Sequence, residues 1–380
     1  MTAKLSSMPI TIQPYTEKFI PAVKEFNRRL KSGGCFSDFL FFEHYISASL
    51  PRVEKRSLYE EYFLAVEEGV VRGGFAVKNQ EFSLSGEFKP IAFYHFPLSE
   101  GIVDKAYTNV GVQMLRTALR DHPLMFALGM GGFDQPLPRM LKALGWSMSL
   151  IPFYFKVVRP FRFLTRMTEL RRTAAKRLAA NAAAYTGAGD VAIRIIQGLK
   201  QSRKRMAQPF VAQEIPEFGD WADTVWKECN SQYVLIGDRT REAQKLLYPA
   251  ESERFIRLRV DAGGTPIGWL VLLDTQMQNN RHFGNLRVAS IVDCLAAPEN
   301  AIEVIRAGTR FLQQRNIDLI ISNQSHAAWG TALENSGFLQ GPSNCVFAAS
   351  PELAKFLQPF AEKVSQVHLN RGDGDGPIHL

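Results

Sequence analysis

The feature that most constrains this chain is a pattern that occurs twice, first from Tyr62 to Trp146 and again from Phe255 to Phe338. Each copy opens on two strand-like segments around a Gly-containing turn. Val66-Glu67-Glu68-Gly69 leads to Gly74-Phe75-Ala76-Val77, and Val260-Asp261-Ala262-Gly263 leads to Gly268-Trp269-Leu270-Val271. Apolar alternation about such a turn predicts paired antiparallel strands. A further strand follows in each copy (Ile91–Phe96 and Leu286–Leu295), then a helix, a short apolar strand and a second helix. That helix closes on Gly-aromatic: Gly145-Trp146 in one copy, Gly337-Phe338 in the other. Two copies a domain apart imply tandem duplication, since solenoid repeats have far shorter periods.

The chain has room for two such cores. Its 380 residues, 46% hydrophobic and 22% charged, are those of two ordinary globular domains. No apolar run is long enough to span a membrane, and Met1–Tyr15 lacks the basic-then-apolar order of a signal peptide. Cys35, Cys229, Cys294 and Cys345 lie far apart with no Cys-x-x-Cys pair, and the seven histidines show no ligand spacing. These patterns point away from zinc and disulfides and toward a reducing cytoplasm.

Around the two copies the pattern predicts an edge strand at Ile10–Ile12, and a helix carrying Phe19, Ile20, Val23, Phe26 and Leu30 that stops at Gly33-Gly34. Phe36–Tyr45 is Phe-rich, which suits core packing or an acyl pocket. Ser147–Val158 reads as one or two closing strands. From residue 159 to 190 the composition changes. Arg159, Arg162, Arg166, Arg171, Arg172, Lys176 and Arg177 interleave with Phe163, Leu164, Met167, Leu170 and Leu178. A single basic amphipathic helix is expected there, either as a bridge between domains or in contact with an anionic membrane through residues 159–178. Phe218–Cys229 predicts a leading helix for the second unit, Asp238–Lys245 a charged helix or loop, and Asn300 with Glu303 a capping box. The end, with Asp373-Gly-Asp375-Gly376, reads as a flexible tail, the downstream ligands of a calcium loop being missing. Arg203-Lys204-Arg205 has no aromatic platform beside it and gives nucleic-acid binding little support.

This order of strands and helices resembles the GNAT superfamily of acyl-coenzyme A (acyl-CoA)-dependent N-acyltransferases. The duplication is similar to tandem forms among Fem-type peptidyltransferases and the acetyltransferase-like proteins of polysaccharide clusters. The resemblance implies an α/β fold of two GNAT-like units with mixed sheets. The units span 1–158 and 191–350, joined by a basic helical linker at 159–190 and followed by a tail from 351 to 380. In this family a Gly-containing turn before a helix cradles the coenzyme A pyrophosphate, because free N–H groups and the helix dipole favour negative charge there.

The first unit offers Ala106-x-x-Asn109-x-Gly111 at that place, so Asn109, Val110, Gly111 and Val112 are the implied cofactor-binding residues, with Asn109 expected in a left-handed turn. The second has Pro298-Glu299-Asn300, with no Gly and an acidic side chain. The resemblance also implies a Tyr acid four residues before the Gly-aromatic pair, where this chain has Leu141 and Leu333. The catalytic candidates are therefore His95 as base, Asp134 where the family carries a polar cofactor contact, and Asp293 on the matching strand of the second unit. His326 takes the place of Asp134 in that unit.

The activity implied is acyl transfer, acetyl included, from acyl-CoA to an amine, such as an amino sugar of an envelope or exopolysaccharide precursor. It needs no metal and would run in the cytoplasm or at the inner membrane surface. A Fem-type transfer from aminoacyl-tRNA and a non-catalytic scaffold are the alternatives.

Overall fold

The computed structural model describes residues 9–35, 40–43, 50–54, 56–201 and 209–374. Most of Phe36–Tyr45, the run Arg203-Lys204-Arg205 and Asp375-Gly376 fall outside them. In chain order the elements are β1 (Thr11–Pro14), α1 (Ile20–Ser32), β2 (Tyr59–Glu67), β3 (Val70–Leu84), β4 (Glu87–Ser99), α2 (Val110–Asp121), β5 (Met125–Gly129), α3 (Pro136–Ala143) and β6 (Ser147–Leu150). Then come β7 (Phe153–Val157), α4 (Pro160–Arg166), α5 (Ala174–Tyr185), α6 (Ala188–Lys200), β8 (Phe210–Ile215), α7 (Trp221–Cys229), β9 (Leu235–Gly237) and α8 (Arg241–Leu247). They are followed by β10 (Ile256–Ala262), β11 (Thr265–Gln276), β12 (Arg287–Ala296), α9 (Ala301–Gln313), β13 (Leu319–Asn323), α10 (Ala327–Glu334) and β14 (Leu339–Gly341). The chain closes with β15 (Val346–Ala349), α11 (Pro351–Phe356), α12 (Phe360–Lys363) and β16 (Val367–His368).

These elements form two compact units. One holds Met1–Phe82, Phe88–Met148 and Val346–Leu357, the other Ser83–Glu87, Ser149–Cys345 and Gln358–Leu380. The strand order of the first sheet is β1-β2-β3-β4-β5-β15-β6, and that of the second is β8-β10-β11-β12-β13-β7-β14. Position by position the two orders match, each with one parallel pair at its centre (β4–β5 and β12–β13). The sixth strand in each sheet is exchanged. Residues 153–157, which directly follow β6, pair antiparallel with β13 in the second sheet. Residues 346–349, which follow β14, pair antiparallel with β5 in the first. The boundaries expected at 158 and 350 are corrected accordingly, since in each sheet the exchanged strand lies inside the sheet, antiparallel to the fifth strand and flanked by the seventh.

Local details repeat between the units. Gly145 and Gly337 both adopt φ 83°, and the next residue donates back to the helix in the same way, Trp146 N to Leu141 O and Phe338 N to Leu333 O, each at 3.1 Å. This is the left-handed helix stop that glycine adopts without a Cβ penalty. The strand glycines match one residue away from the expected register. Gly73, not Gly74, sits just past a bulge in β3 as Gly268 does in β11. A Cβ on Gly73 would lie 2.8 Å from Leu98 O, and one on Gly268 2.5 Å from Leu295 O.

The first core lies between the sheet and α2 and α3, through Phe75, Val77, Ala92, Tyr94, Val110, Met114, Leu115, Leu141 and Trp146. A second cluster joins α1 to β2 and β3 around Phe26, Phe41 and Val71, so the described part of the Phe-rich segment is core packing. The expected basic helix over 159–184 is broken. Met167 leaves α4 in an extended conformation, a short 3-10 turn follows, and Thr173 Oγ1 accepts from Lys176 N at 3.2 Å to start α5 afresh. Phe163, Leu164, Met167 and Leu170 pack on Val157, Leu286, Val288, Leu319 and Ile321, so this segment is part of the second unit and not a bridge. Asn300 makes no side-chain cap to α9, which is entered through a 3-10 turn at Pro298–Asn300.

Candidate active site

Both units part their two central parallel strands, and what happens in the gap differs. In the second unit β12 and β13 pair from Val288–Leu319 to Ile291–Ser322, while β12 runs on to Ala296. The end of the chain enters there. His368 Nε2 donates to Cys294 O (2.9 Å) on the β12 side. On the β13 side Ser325 N donates to Leu369 O (3.1 Å), and Gln324 bridges Asn370. Asn370 and Asp373 then close a capping box around Arg371-Gly372. The tail expected to be flexible is thus buried as far as Asp373.

Asp293 belongs to this closure. Its Oδ1 accepts from Arg239 Nε (3.0 Å), Asn370 Nδ2 (2.8 Å) and Cys294 N (2.8 Å), and its Oδ2 accepts from Tyr248 Oη (3.0 Å). Arg239 also donates to both oxygens of Asp373. Burial pushes the Asp293 carboxyl up, against the pull of the Arg239 charge. Burial likewise opposes the Arg239 charge, but two carboxylates outweigh it and hold the guanidinium protonated. Asp293 thus holds the C-terminal segment directly through Asn370 and indirectly through Arg239, while its other oxygen is taken by Tyr248. His326 caps α10, its Nδ1 accepting from Ala328 N (3.2 Å), and burial lowers its pKa to about 4.

The first unit leaves its gap differently disposed. The pairing of β4 with β5 is confined to Ala92–Met125 and Phe93–Phe126, although β4 continues to Ser99 and β5 to Gly129. Beyond the gap, α2 starts at Val110. Asn109 is its N-cap residue, and its side chain makes no cap hydrogen bond. Asn109 has φ −77° and ψ −13°, so the left-handed turn expected there is replaced by ordinary right-handed backbone. Gly111 lies in the first helical turn, where a Cβ would meet only Met140 Sδ at 3.7 Å. The N–H groups of Val110, Gly111 and Val112 begin a twelve-residue helix with no side chain capping them.

His95 follows the last paired residues of β4 by two positions. Its Nε2 lies 2.7 Å from Glu60 Oε1 on β2, and its ring stacks on Phe93 at 4.7 Å. Burial would raise the Glu60 carboxyl, but His95, Tyr62 and Lys78 outweigh it and hold the pKa below the ordinary value. Glu60 is thus the carboxylate that orients the imidazole. Asp134 stands apart, on the loop between β5 and α3, with a side chain 98% exposed and 3.9 Å from Arg139. His95 and Asp134 are in the first unit and Asp293 in the second.

One residue escaped the sequence reading. Tyr94, the first residue of β4 past the paired stretch, points into the core with Val110, Met114 and Leu141, and its buried Oη has no hydrogen-bond partner. Burial raises its pKa, which keeps the phenol protonated. A tyrosine in phase with Ala92 on an otherwise apolar strand face was the available signal. Leu141 and Leu333, where the resemblance implied a Tyr acid, are both fully buried among apolar side chains.

The second unit has a separate cavity of about 380 Å³, lined by Lys156, Arg306, Thr309, Arg310 and Ser336 among others. Two of its cations serve helix-end carbonyls: Lys156 Nζ donates to Ser336 O at 2.8 Å and Arg306 Nη2 to Asn335 O at 3.4 Å. Among the described residues no cluster of three His, Cys, Asp or Glu could hold a metal ion.

No protein-family model and no curated protein matches this chain. Solved structures do. A probable N-acyltransferase of unknown function from Enterococcus faecalis V583 superposes with a TM-score of 0.51 at 8% identity, over 92% of this chain and 74% of that one. Saccharomyces cerevisiae N-myristoyltransferase with bound myristoyl-CoA gives 0.53 at 10%, over 92% and 84%. A GCN5-related N-acetyltransferase from Anabaena variabilis ATCC 29413 gives 0.50 at 8%, over 89% and 72%. The fold is that of the GNAT-type N-acyltransferases. At these identities the likeness is one of fold.

Proposed function

We propose that this chain transfers an acyl group from acyl-CoA to an amine, with the first unit as the active one. The observation that carries this reading is the contrast between the two gaps. In the second unit the chain's own residues 368–373 occupy the space between the parted strands, and Glu299 stands at the entry to α9. In the first, β4 and β5 part ahead of an uncapped α2 N-terminus that carries no acid in its first turn. A pyrophosphate is stabilised at the acid-free α2 N-terminus of the first unit and repelled by Glu299 at the α9 entry of the second.

In this reading the thioester carbonyl lies where β4 leaves β5, polarised by strand N–H groups that no longer have a ladder partner. His95, oriented by ionised Glu60, accepts the proton of the incoming ammonium or amine. The C–N bond forms as the C–S bond breaks, and the departing thiolate takes a proton from Tyr94 Oη, the proton that His95 took from the amine making good the loss. Tyr94 replaces the acid that Leu141 cannot supply. The acceptor is an amine; amino sugars are one class to be tried. The test is isothermal titration of the whole protein with acetyl-CoA and longer acyl-CoA species, followed by thiol release with a panel of amines. Binding with acceptor-dependent thiol release supports the reading, and absence of acyl-CoA binding contradicts it.

A further inference from the structure

The charge of this molecule is concentrated. Residues 159–200 carry nine Lys and Arg against two acids, +7 of the chain's +8. They also carry much of its exposed apolar surface. On α6, Val191, Ile195 and Leu199 recur every four residues and are 57%, 56% and 82% exposed, with Ile196 beside them. On α5, Leu178 and Tyr185 are 73% and 75% exposed. Large aliphatic side chains turned outward at helical spacing are not the pattern of a solvated surface.

The outward direction is fixed by the packing on the opposite side. Gln197 on α6 is buried, and its amide pairs with the backbone of β7, accepting from Val157 N (2.8 Å) and donating to Val157 O (3.0 Å). Gly189 presses on Leu164 and Ala183, with no room for a Cβ. At 100° per residue, Val191, Ile195 and Leu199 lie on the face opposite Gln197 and cannot turn inward without breaking that pair. On α5 the buried residues are Ala180 and Ala184, on the side turned away from Leu178 and Tyr185. Arg162 is engaged with Asp318 and Arg194 with Asp190, whereas Lys176, Arg177 and Leu178 stand exposed together at the start of α5.

We infer that α5 and α6, joined by Thr186-Gly187, dock on an anionic lipid surface, with the apolar stripe in the headgroup–acyl boundary and the cations among the phosphates. An apolar stripe edged by cations is the chemistry of an interfacial helix, and the anionic leaflet complements the local excess of positive charge. A second copy of this chain is a poor occupant, because a two-fold contact would bring the exposed Lys176 and Arg177 of the two copies against each other. Among the described residues no helix is long and apolar enough to cross the bilayer, so the contact lies on the surface.

The test is co-sedimentation of the full chain with vesicles of phosphatidylcholine alone and of phosphatidylcholine mixed with phosphatidylglycerol, at low and high salt. Two double variants accompany it, Leu178→Asn with Leu199→Asn, and Lys176→Gln with Arg177→Gln. All four positions are exposed, and circular dichroism checks that the variants keep the native fold. Binding to the anionic vesicles is expected, weakened at least about tenfold by either double variant and by high salt. Equal binding to neutral vesicles, no binding to the anionic ones, or unchanged binding in both variants overturns the inference. So does an apolar variant that alters only the oligomeric state in sedimentation velocity.

Discussion

Arg239 and Asp373, separated by more than a hundred residues, form a buried two-pronged ion pair, with Nη2 of the arginine 2.8 and 3.0 Å from the two carboxylate oxygens. Both side chains are about 2% exposed. The pair ties the end of the chain to the loop after β9, while Asp293 takes the other side of the same guanidinium at 3.0 Å. Parallel pairing of β16 with β9, Val367 opposite Leu235, brings the segment into place. What the composition suggests is a loose acidic tail is therefore the plug of the second unit.

Removing one member of that pair leaves a buried charge short of a partner. Asp373→Ala is expected to cost about 3–5 kcal/mol in urea unfolding. Asp373→Asn, which keeps the shape and the acceptor, is expected to cost less. A loss below about 1 kcal/mol for the alanine variant would show that the closure contributes little to stability.

The exchanged strands make a second prediction. A fragment of residues 1–158 lacks β15, so β5 has no antiparallel neighbour, and it carries β7 without the β13 it pairs with. Such a fragment is expected to give no cooperative thermal transition and poor amide dispersion by NMR. A cooperative melt from the fragment alone would show that the exchange is dispensable.

Stability should fall with acid in a defined window. Burial depresses the folded-state pKa of His326 from 6.5 to about 4. Between those values the unfolded chain binds a proton that the folded one refuses. Stability therefore drops as pH falls from 6.5 toward 4, by up to about 1.4 kcal/mol per pH unit, and this contribution is constant outside the window. Protonating Nδ1 would also break the cap to Ala328 N. His326→Asn, a residue that caps well, should flatten this part of the profile. His368 and His122, which burial depresses in the same direction, contribute to the slope that remains. An unchanged profile in the variant contradicts the assignment.

Tyr94→Phe separates a proton donor from a core side chain. The phenol has no partner in the fold, so its removal should leave the melting temperature unchanged or slightly raised. If Tyr94 protonates the leaving thiolate, kcat should fall by about 10²–10⁴ with KM nearly unchanged. Wild-type turnover in the variant would remove Tyr94 from the reaction.

The architecture was legible because duplication prints the same periodicities twice, and the glycines at 145 and 337 mark both helix ends by a conformation few other residues adopt. The exchange of β7 and β15 was not, since each reads as an apolar strand and each pairs antiparallel with a fifth strand, so either would complete either sheet. The plug was missed for a related reason. Glycine and aspartate at residues 372–373 signal solvent unless a distant cation is known to meet them, and Arg239 sits in a stretch that reads as a charged surface helix. His95 was visible as a lone polar residue on an apolar strand, but its partner Glu60 lies on a strand two ladders away. Asp134 was implied by the resemblance, at the place of a polar cofactor contact, and its side chain stands in solvent.

The central claim is that the α2 N-terminus of the first unit, and not the α9 entry of the second, receives the pyrophosphate of acyl-CoA. The most direct measurement is titration calorimetry of acetyl-CoA into the parent protein, Gly111→Glu and Ala297→Glu, with circular dichroism showing all three folded. Gly111 has room for a side chain, with Met140 Sδ 3.7 Å from the Cβ position, so the first variant places a carboxylate at the helix start without forcing the backbone. Affinity is predicted to fall at least about a hundredfold in Gly111→Glu and to stay within about twofold of the parent in Ala297→Glu. Equal affinity in parent and Gly111→Glu, or a loss confined to Ala297→Glu, would contradict the account.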